Sequence, residues 1–376
     1  MKIIMNKAGN GDCFILKTEK TNLLIDGGIA STYQTWSNSI VNLKTLDALI
    51  ITHIDNDHTN GVIKFLDDSR FQNLEISNVF FNGVKQITQL KEGPSCEYSS
   101  DYESIALNFC PKLKSETEIG FSEGTSLSYI LESKGLKIND LNNGDAIHNL
   151  SFREPIRIKD ISIQFIGPCV NTLKKLNQSW LEILEERGIK RKILNQNHAV
   201  AFESYVSSLS DNSIDDSNIS STENIDIHEL CNRIYERDNS LSNESSFSFI
   251  IRNGEKSILM LGDSHIETII NWLDLNGIER LNVDAIKVSH HGSKHNINAD
   301  FLKRVHCNKY LISTNGKKHN HPDLESIALI ASFSDKPETS IYINYKAQNI
   351  PRQFIQRLSQ LSNPAKIYCE TNEVVL

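Results

Sequence analysis

The chain lacks any long apolar stretch: its longest runs, such as Ala48–Ile51 and Ile258–Leu261, are strand-sized. A helix needs roughly 20 apolar residues to span a bilayer, so membrane insertion is not expected. Cysteine is never arranged as Cys-x-x-Cys. Cys13, Cys96, Cys110, Cys169, Cys231, Cys307 and Cys369 are odd in number and scattered, which argues against a disulfide frame or a cysteine-built zinc site, and for reduced thiols in a cytoplasm. The opening Met1-Lys2-Ile3-Ile4-Met5 lacks the longer apolar segment and small-residue cleavage site of a secretory signal. There is no surplus of basic residues either. The formal charge is −8, whereas a protein gripping nucleic acid over many phosphates carries a basic face. That balance disfavours long nucleic acid without forbidding it, because a metal centre supplies local positive charge at a single scissile phosphate. No repeat of fixed period is visible, so a solenoid is not expected.

What is present is a strand-and-helix alternation at both ends. With 39% hydrophobic residues in 376, the chain can fill a sizeable core. Strands are expected at Ile3–Met5, Cys13–Lys17, Leu23–Ile25, Leu46–Ile51 and Val79–Phe81. They recur at Phe247–Ile251, Ile258–Leu261, Ala285–Val288, Tyr310–Ile312 and Ile341–Ile343. These read as two halves of one α/β architecture. The middle is less regular, with helices expected at Thr125–Ser133 and Leu173–Glu186. A buried strand at Ile161–Ile166, stopped by Gly167-Pro168, should begin the second half-sheet. The polar stretches Ser95–Asp101 and Ser207–Glu223 read as an insertion tip and a loop. A single domain over 1–376 is expected, with insertions near 85–160 and 170–240.

The strongest chemical signal is Ile50-Ile51-Thr52-His53-Ile54-Asp55-Asn56-Asp57-His58, an apolar strand running into a dense set of ligand side chains. Imidazole and carboxylate without thiolate are the donors of divalent Zn, Mn, Fe or Co, and lean toward the harder ions. A turn whose Asp and Asn cap the next helix would explain one carboxylate, but not His, Asp, Asp and His together. Leu261-Gly262-Asp263 and Val288-Ser289-His290-His291-Gly292 each end a further apolar strand in ligand residues. Functional groups of α/β sheets gather beyond strand carboxyl ends, so these three ends form one expected constellation. His148, His198 and His228 lack ligand spacing and are read as structural. Asp12 and Asp26 read as turn carboxylates that orient ligand histidines. Lys294, Ser293 and His295 are candidates for an anion pocket.

These motifs resemble the metallo-β-lactamase superfamily, and most its ComEC-type competence-protein branch, related to nucleases. The resemblance rests on Gly9-Asn10-Gly11-Asp12, Leu24-Ile25-Asp26-Gly27-Gly28 and the His53–His58 motif. Asn243-Glu244-Ser245-Ser246-Phe247, Leu261-Gly262-Asp263, Lys287–Ser293 and His321-Pro322 follow in order. It implies an αββα sandwich of two mixed sheets with flanking helices, and two divalent ions, Mn or Zn. By the resemblance, Asp57, His58 and His291 build the stronger site, and Asp263 bridges to a second ion near His53 and Asp55. Asp55 stands where many members carry histidine, and Asn243 stands near the place of a further ligand histidine. Asp57, Asp263 and His290 are the implied catalytic residues, and Asn243, His290, Ser293 and His321 the candidate substrate contacts.

The implied activity is a metal-dependent phosphodiesterase or nuclease acting on DNA or another nucleotide-containing ester. The alternatives are a hydrolase of small esters or phosphodiesters, and a non-catalytic component of a multi-protein defence or uptake system with partner proteins.

Overall fold

The structure, a computed structural model, describes residues 1–91, 93, 98–110, 126–210, 226–333 and 338–376. Residues 95–97 and 211–223 of the two polar stretches lie outside these, as does Thr125; the expected insertion tip is corrected at Ser99–Asp101, which begin a helix, and Ser207 and Ser208 end one. Strands in chain order are β1 (Lys2–Met5), β2 (Phe14–Lys17), β3 (Asn22–Ile25), β4 (Thr45–Leu46), β5 (Ala48–Ile50), β6 (Glu75–Ile76), β7 (Val79–Phe80), β8 (Ile156–Ile158) and β9 (Ile161–Gly167). They continue with β10 (Ser248–Asn253), β11 (Lys256–Met260), β12 (Leu281–Asn282), β13 (Ala285–Lys287), β14 (Val305–His306), β15 (Lys309–Ile312), β16 (Thr339–Ile343), β17 (Ala365–Tyr368) and β18 (Glu373–Val375). The helices are α1 (Tyr33–Ser37), α2 (Asn56–Asp67), α3 (Val84–Thr88), α4 (Ser99–Phe109), α5 (Leu127–Ser133), α6 (Val170–Glu186) and α7 (Gln196–Ser208). After them come α8 (Ile227–Cys231), α9 (Leu241–Glu244), α10 (Ile266–Leu275), α11 (Ala299–Arg304), α12 (Leu324–Phe333) and α13 (Arg352–Leu358).

Two mixed sheets carry the fold. One has the order β18-β1-β2-β3-β5-β7, the other β17-β16-β15-β13-β11-β10-β9-β8. In the first, β3, β5 and β7 are parallel; in the second, β11, β13, β15, β16 and β17 are parallel. Alternation along the strands sorts the side chains into layers. Phe14, Leu16, Leu23, Ile25, Ala48 and Ile50 face Phe165, Phe249, Ile251, Ile258 and Met260 between the sheets. Ile15, Leu24 and Leu49 turn outward onto Val62, Phe65 and the helices α4 to α7. On the far side, Leu259, Ile286, Tyr310 and Ile341 pack under α10 to α13. The result is the expected αββα sandwich, with helices on both outer faces of the paired sheets. Among the described residues no helix is long and apolar enough to cross a membrane.

Two expectations are corrected in detail. The single strand Leu46–Ile51 is broken: β4 pairs with β6 in a small separate sheet, and only β5 enters the main one. Asp47 pins the break, because its carboxylate accepts Asn22 N at 2.9 Å and pairs with Lys159 at 2.6 Å. The short strands β8, β17 and β18 were not foreseen, and each lies at a sheet edge, where one-sided pairing leaves little hydrophobic pattern. The strand Ile161–Ile166 does lie within β9, in the second sheet.

Candidate metal centre

The parallel strands of both sheets point their carboxyl ends at one place. Beyond β5 the chain turns directly into α2, which brings Asp57 and His58 back over the end of β3. This needs backbone-to-backbone contact. Gly61 N donates to Gly28 O at 2.8 Å, and a Cβ on Gly61 would fall 1.8 Å from Gly27 O. Gly11 is equally constrained, since its Cβ would meet Asp57 O at 1.7 Å. The glycines of the opening motifs thus let two loops close on the ligand turn.

From the second sheet come Asp263, after β11, and the histidine pair, after β13. His290 and His291 both have left-handed backbone, with φ of 42° and 55°, a conformation costly for residues with a Cβ. That turn sends the two rings apart. His291 turns inward, where its Nδ1 donates to Ser313 O at 2.9 Å and its Nε2 lies 3.4 Å from Asp263 and 3.6 Å from Asp57. His290 turns outward, donating from Nδ1 to Asn296 Oδ1 at 3.0 Å.

Three imidazoles converge with the same face. His58 donates from Nδ1 to Asp26 Oδ2 at 2.9 Å. Thr52 Oγ1 spends its proton on Asp26 at 2.8 Å and so accepts from His53 Nδ1 at 3.1 Å. With every Nδ1 carrying its proton, the Nε2 lone pairs of His53, His58 and His291 are left over. All three atoms are buried and have no hydrogen-bond partner, as is Asp263 Oδ1. His58 Nε2 is 3.3 Å from Asp263 Oδ2. Ligand atoms of His53, His58 and Asp263, and of Asp57, His58 and His291, lie within 4.8 Å of one another. Orphaned buried nitrogens beside carboxylates are costly unless a cation takes them, and this donor set fits divalent ions.

The electrostatics agree. Burial acts to lower the pKa of His58 and His291, but Asp263 and its neighbours outweigh it, holding His58 well above its usual range and His291 up at about 10. Burial, aided by the charge on His58, takes His53 down to about 3. Asp57 and Asp263 sit below the ordinary carboxylate range despite burial, held there by the histidines. The cluster is a strong sink for positive charge.

Behind the donors is a buried cation. Lys287 is fully buried, ion-paired with Asp12, and donates to Gly262 O at 2.8 Å with Asp263 Oδ1 at 3.6 Å. Asp12 also faces His291 Nδ1 at 3.4 Å. Sequence reasoning missed Lys287, although a lysine inside Ala285-Ile286-Lys287-Val288 was a visible anomaly. It missed Asp238 too. This buried carboxylate accepts from Asn243 and Asn296 at 2.8 and 3.1 Å and lies 3.4 Å from His290 Nδ1, and nothing in its local sequence marks it.

The other expected residues fall as follows. Asp55 is in neither ligand cluster: its Oδ1 caps α2 through Asn56 N at 2.7 Å and accepts from Ser207 Oγ at 3.2 Å. Burial and the charge of Asp57 push its pKa up to about 6. His321 lines the cleft beside His290, with ring centroids 5.4 Å apart. Ser293 is turned inward, and its Oγ accepts from His295 N at 3.2 Å. Asn243 is completely buried. His198 is satisfied in the core by Trp180 Nε1 and Ile193 O, both at 2.8 Å. Over this cluster opens a cleft lined by Asp55, Asp57, Asp263 and His291 and by Asn10, His290, Thr314, Lys318, His319 and His321.

Residues 6–91 match the family model of the metallo-beta-lactamase superfamily, a span that includes His53 to His58 but not Asp263 or His291. No curated protein matches the chain. Among solved structures, the metallo-beta-lactamase fold protein YhfI from Bacillus subtilis is similar over 100% of this chain and 99% of its own, at 10% identity and TM-score 0.38. Zn²⁺-bound PqqB from Methylobacterium extorquens is similar over 100% of both chains, at 10% identity and TM-score 0.40. The short form of human tRNase Z is similar over 100% of this chain and 99% of its own, at 10% identity and TM-score 0.35. These likenesses are too distant to say what this chain does. The matched segment and the layered sheets together make the fold metallo-β-lactamase-like.

Proposed function

We propose that this chain is a metal-dependent hydrolase of phosphodiesters, acting in the cytoplasm on DNA or another nucleotide-containing ester. The observation that carries this reading is the convergence of three partnerless Nε2 atoms, from His53, His58 and His291, on Asp263 at the floor of a cleft. Asp57, His58 and His291 would hold one divalent ion, His53 the other, and Asp263 both, with Mn²⁺ favoured over Zn²⁺ by the oxygen donors. Such a pair, when bound, supplies Lewis acidity to a water and to a phosphoryl oxygen.

The chain's own groups do the rest. Asp26 and Ser313 O fix the histidine tautomers, so the nitrogens facing the cleft stay available. Asn10 Nδ2 donates to Asp57 Oδ2 at 2.6 Å and holds that carboxylate over the floor. His290, its Nδ1 anchored on Asn296, offers Nε2 to the cleft and is placed to give a proton to a leaving oxygen. Lys318, His319 and His321 face an anionic substrate across the same opening. The resemblance of the ordered motifs to the ComEC-type branch supports a phosphodiester over a carboxylic ester.

A second reading, hydrolysis of small phosphodiesters only, is favoured by the charge of −8. The experiment is to assay metal-replete protein on bis(p-nitrophenyl) phosphate, a dinucleotide and plasmid DNA, with metal analysis of the same sample. Turnover of all three supports the nuclease, and turnover without plasmid cleavage supports the small-substrate reading. Bound metal with no turnover of any phosphodiester overturns both, and leaves a non-catalytic partner of other proteins.

A further inference from the structure

The donor set around His53 is short. If His58 serves the ion shared with Asp57 and His291, the His53 ion keeps only His53 and Asp263 from the described histidines and carboxylates. Asp55 is in no ligand cluster with them, and its Oδ1 accepts from Asn56 N and Ser207 Oγ.

Asn243 belongs to the segment that packs against both of the loops that carry His53 and Asp263. The segment around it grips both ligand loops: Ser242 Oγ donates to Ile54 O at 3.2 Å, Phe247 N donates to Thr52 O at 2.8 Å, and Asp263 N donates to Ser246 Oγ at 3.1 Å. The side chain of Asn243 is wholly buried. Its Nδ2 donates to Asp238 Oδ2 at 2.8 Å. A carboxylate can only accept, so the amide cannot be flipped, and its oxygen must face away from Asp238. That oxygen is buried and has no hydrogen-bond partner, like His53 Nε2. An amide oxygen stranded in this way keeps its full desolvation penalty, which a hard divalent cation removes, since carbonyl oxygens are among its preferred ligands.

We propose that Asn243 Oδ1 is a ligand of the ion bound by His53, oriented for that task by Asp238. This rests on the two-ion reading above. It makes Asn243 a metal ligand rather than a substrate contact, with a neutral oxygen in place of an imidazole.

The test is metal stoichiometry. Chelated wild type, Asn243→Ala and Asn243→Asp are reloaded with Mn²⁺, freed of excess ion and analysed for manganese per chain. Spin resonance detects coupling between neighbouring ions, and circular dichroism of the metal-free proteins checks the fold. The expected result is a coupled pair in wild type, a single uncoupled ion in Asn243→Ala with its affinity unchanged, and a restored pair in Asn243→Asp, which keeps the oxygen. Asn243→Ala holding a coupled pair at wild-type affinity would overturn the assignment. So would Asn243→Asp losing the second ion while its fold is intact. Wild type that binds no coupled pair fails at the earlier step and overturns the two-ion reading itself.

Discussion

Replacing Lys287 by methionine keeps the length of the side chain and removes its charge. In the folded protein Lys287 is the buried partner of Asp12, itself 1% exposed, and a neighbour of Asp263. Burial works to lower its pKa, but Asp12 and Asp263 overcome this and raise it, so the ammonium is firmly charged. Lys287→Met leaves Asp12 buried with His291 Nδ1, 3.4 Å away and already committed to Ser313 O, and the more distant His58 to offset it. Breaking one side of a buried pair costs about 3–5 kcal/mol. Removing both charges, in Lys287→Met with Asp12→Asn, should recover all but about 1–2 kcal/mol, because neutral replacements of a buried pair are well tolerated. Urea unfolding of chelated protein measures this, since bound ion would otherwise shift the midpoint by mass action. A loss below about 1 kcal/mol in the single variant, or a double variant no more stable than the single one, would refute the reasoning that Lys287 neutralises Asp12.

Asp263→Asn should fold normally and abolish hydrolysis, and wild-type turnover by this variant would remove Asp263 from the centre. His291→Ala should lower the metal content, whereas His290→Ala should retain metal and lose turnover; elemental analysis showing the reverse would exchange their roles. Gly61→Ala forces a methyl group to within 1.8 Å of Gly27 O and should destabilise the protein by about 1–3 kcal/mol, read as an earlier urea midpoint. Reloading chelated protein with Mn²⁺ should give faster phosphodiester turnover than with Zn²⁺, given the Asp57, Asp263 and Asn243 oxygens among the proposed donors; equal rates would sink that preference.

The parts of this molecule that could be read in sequence are those whose cause is local. His53 to His58 stand together because one strand-to-helix turn holds them, and Asp263 and His291 announce themselves by ending apolar strands. The alternation of Phe14, Ile15 and Leu16 already sorts residues to the two faces of a sheet. Where the cause is distant, the sequence is silent. Asp55 is expected as a ligand by position, and the sequence does not show that its Oδ1 meets Ser207 at the end of α7, an element from the middle of the chain. Asp238 lies in an irregular run, and only the folding of α9 and the β13 turn onto it brings Asn243, His290 and Asn296 to its oxygens. Asn243 was noticed through motif order, but its buried, fixed amide oxygen is a fact of packing.

The proposed ligands divide between the two sheets, with His53, Asp57 and His58 following the first and Asp263 and His291 following the second. During synthesis the ribosome therefore releases half of the donor set long before the other half exists. The early half alone is a poor chelator, and ion capture has to wait until the late strands dock. On that proposal, metal enters a finished sandwich rather than a nascent one.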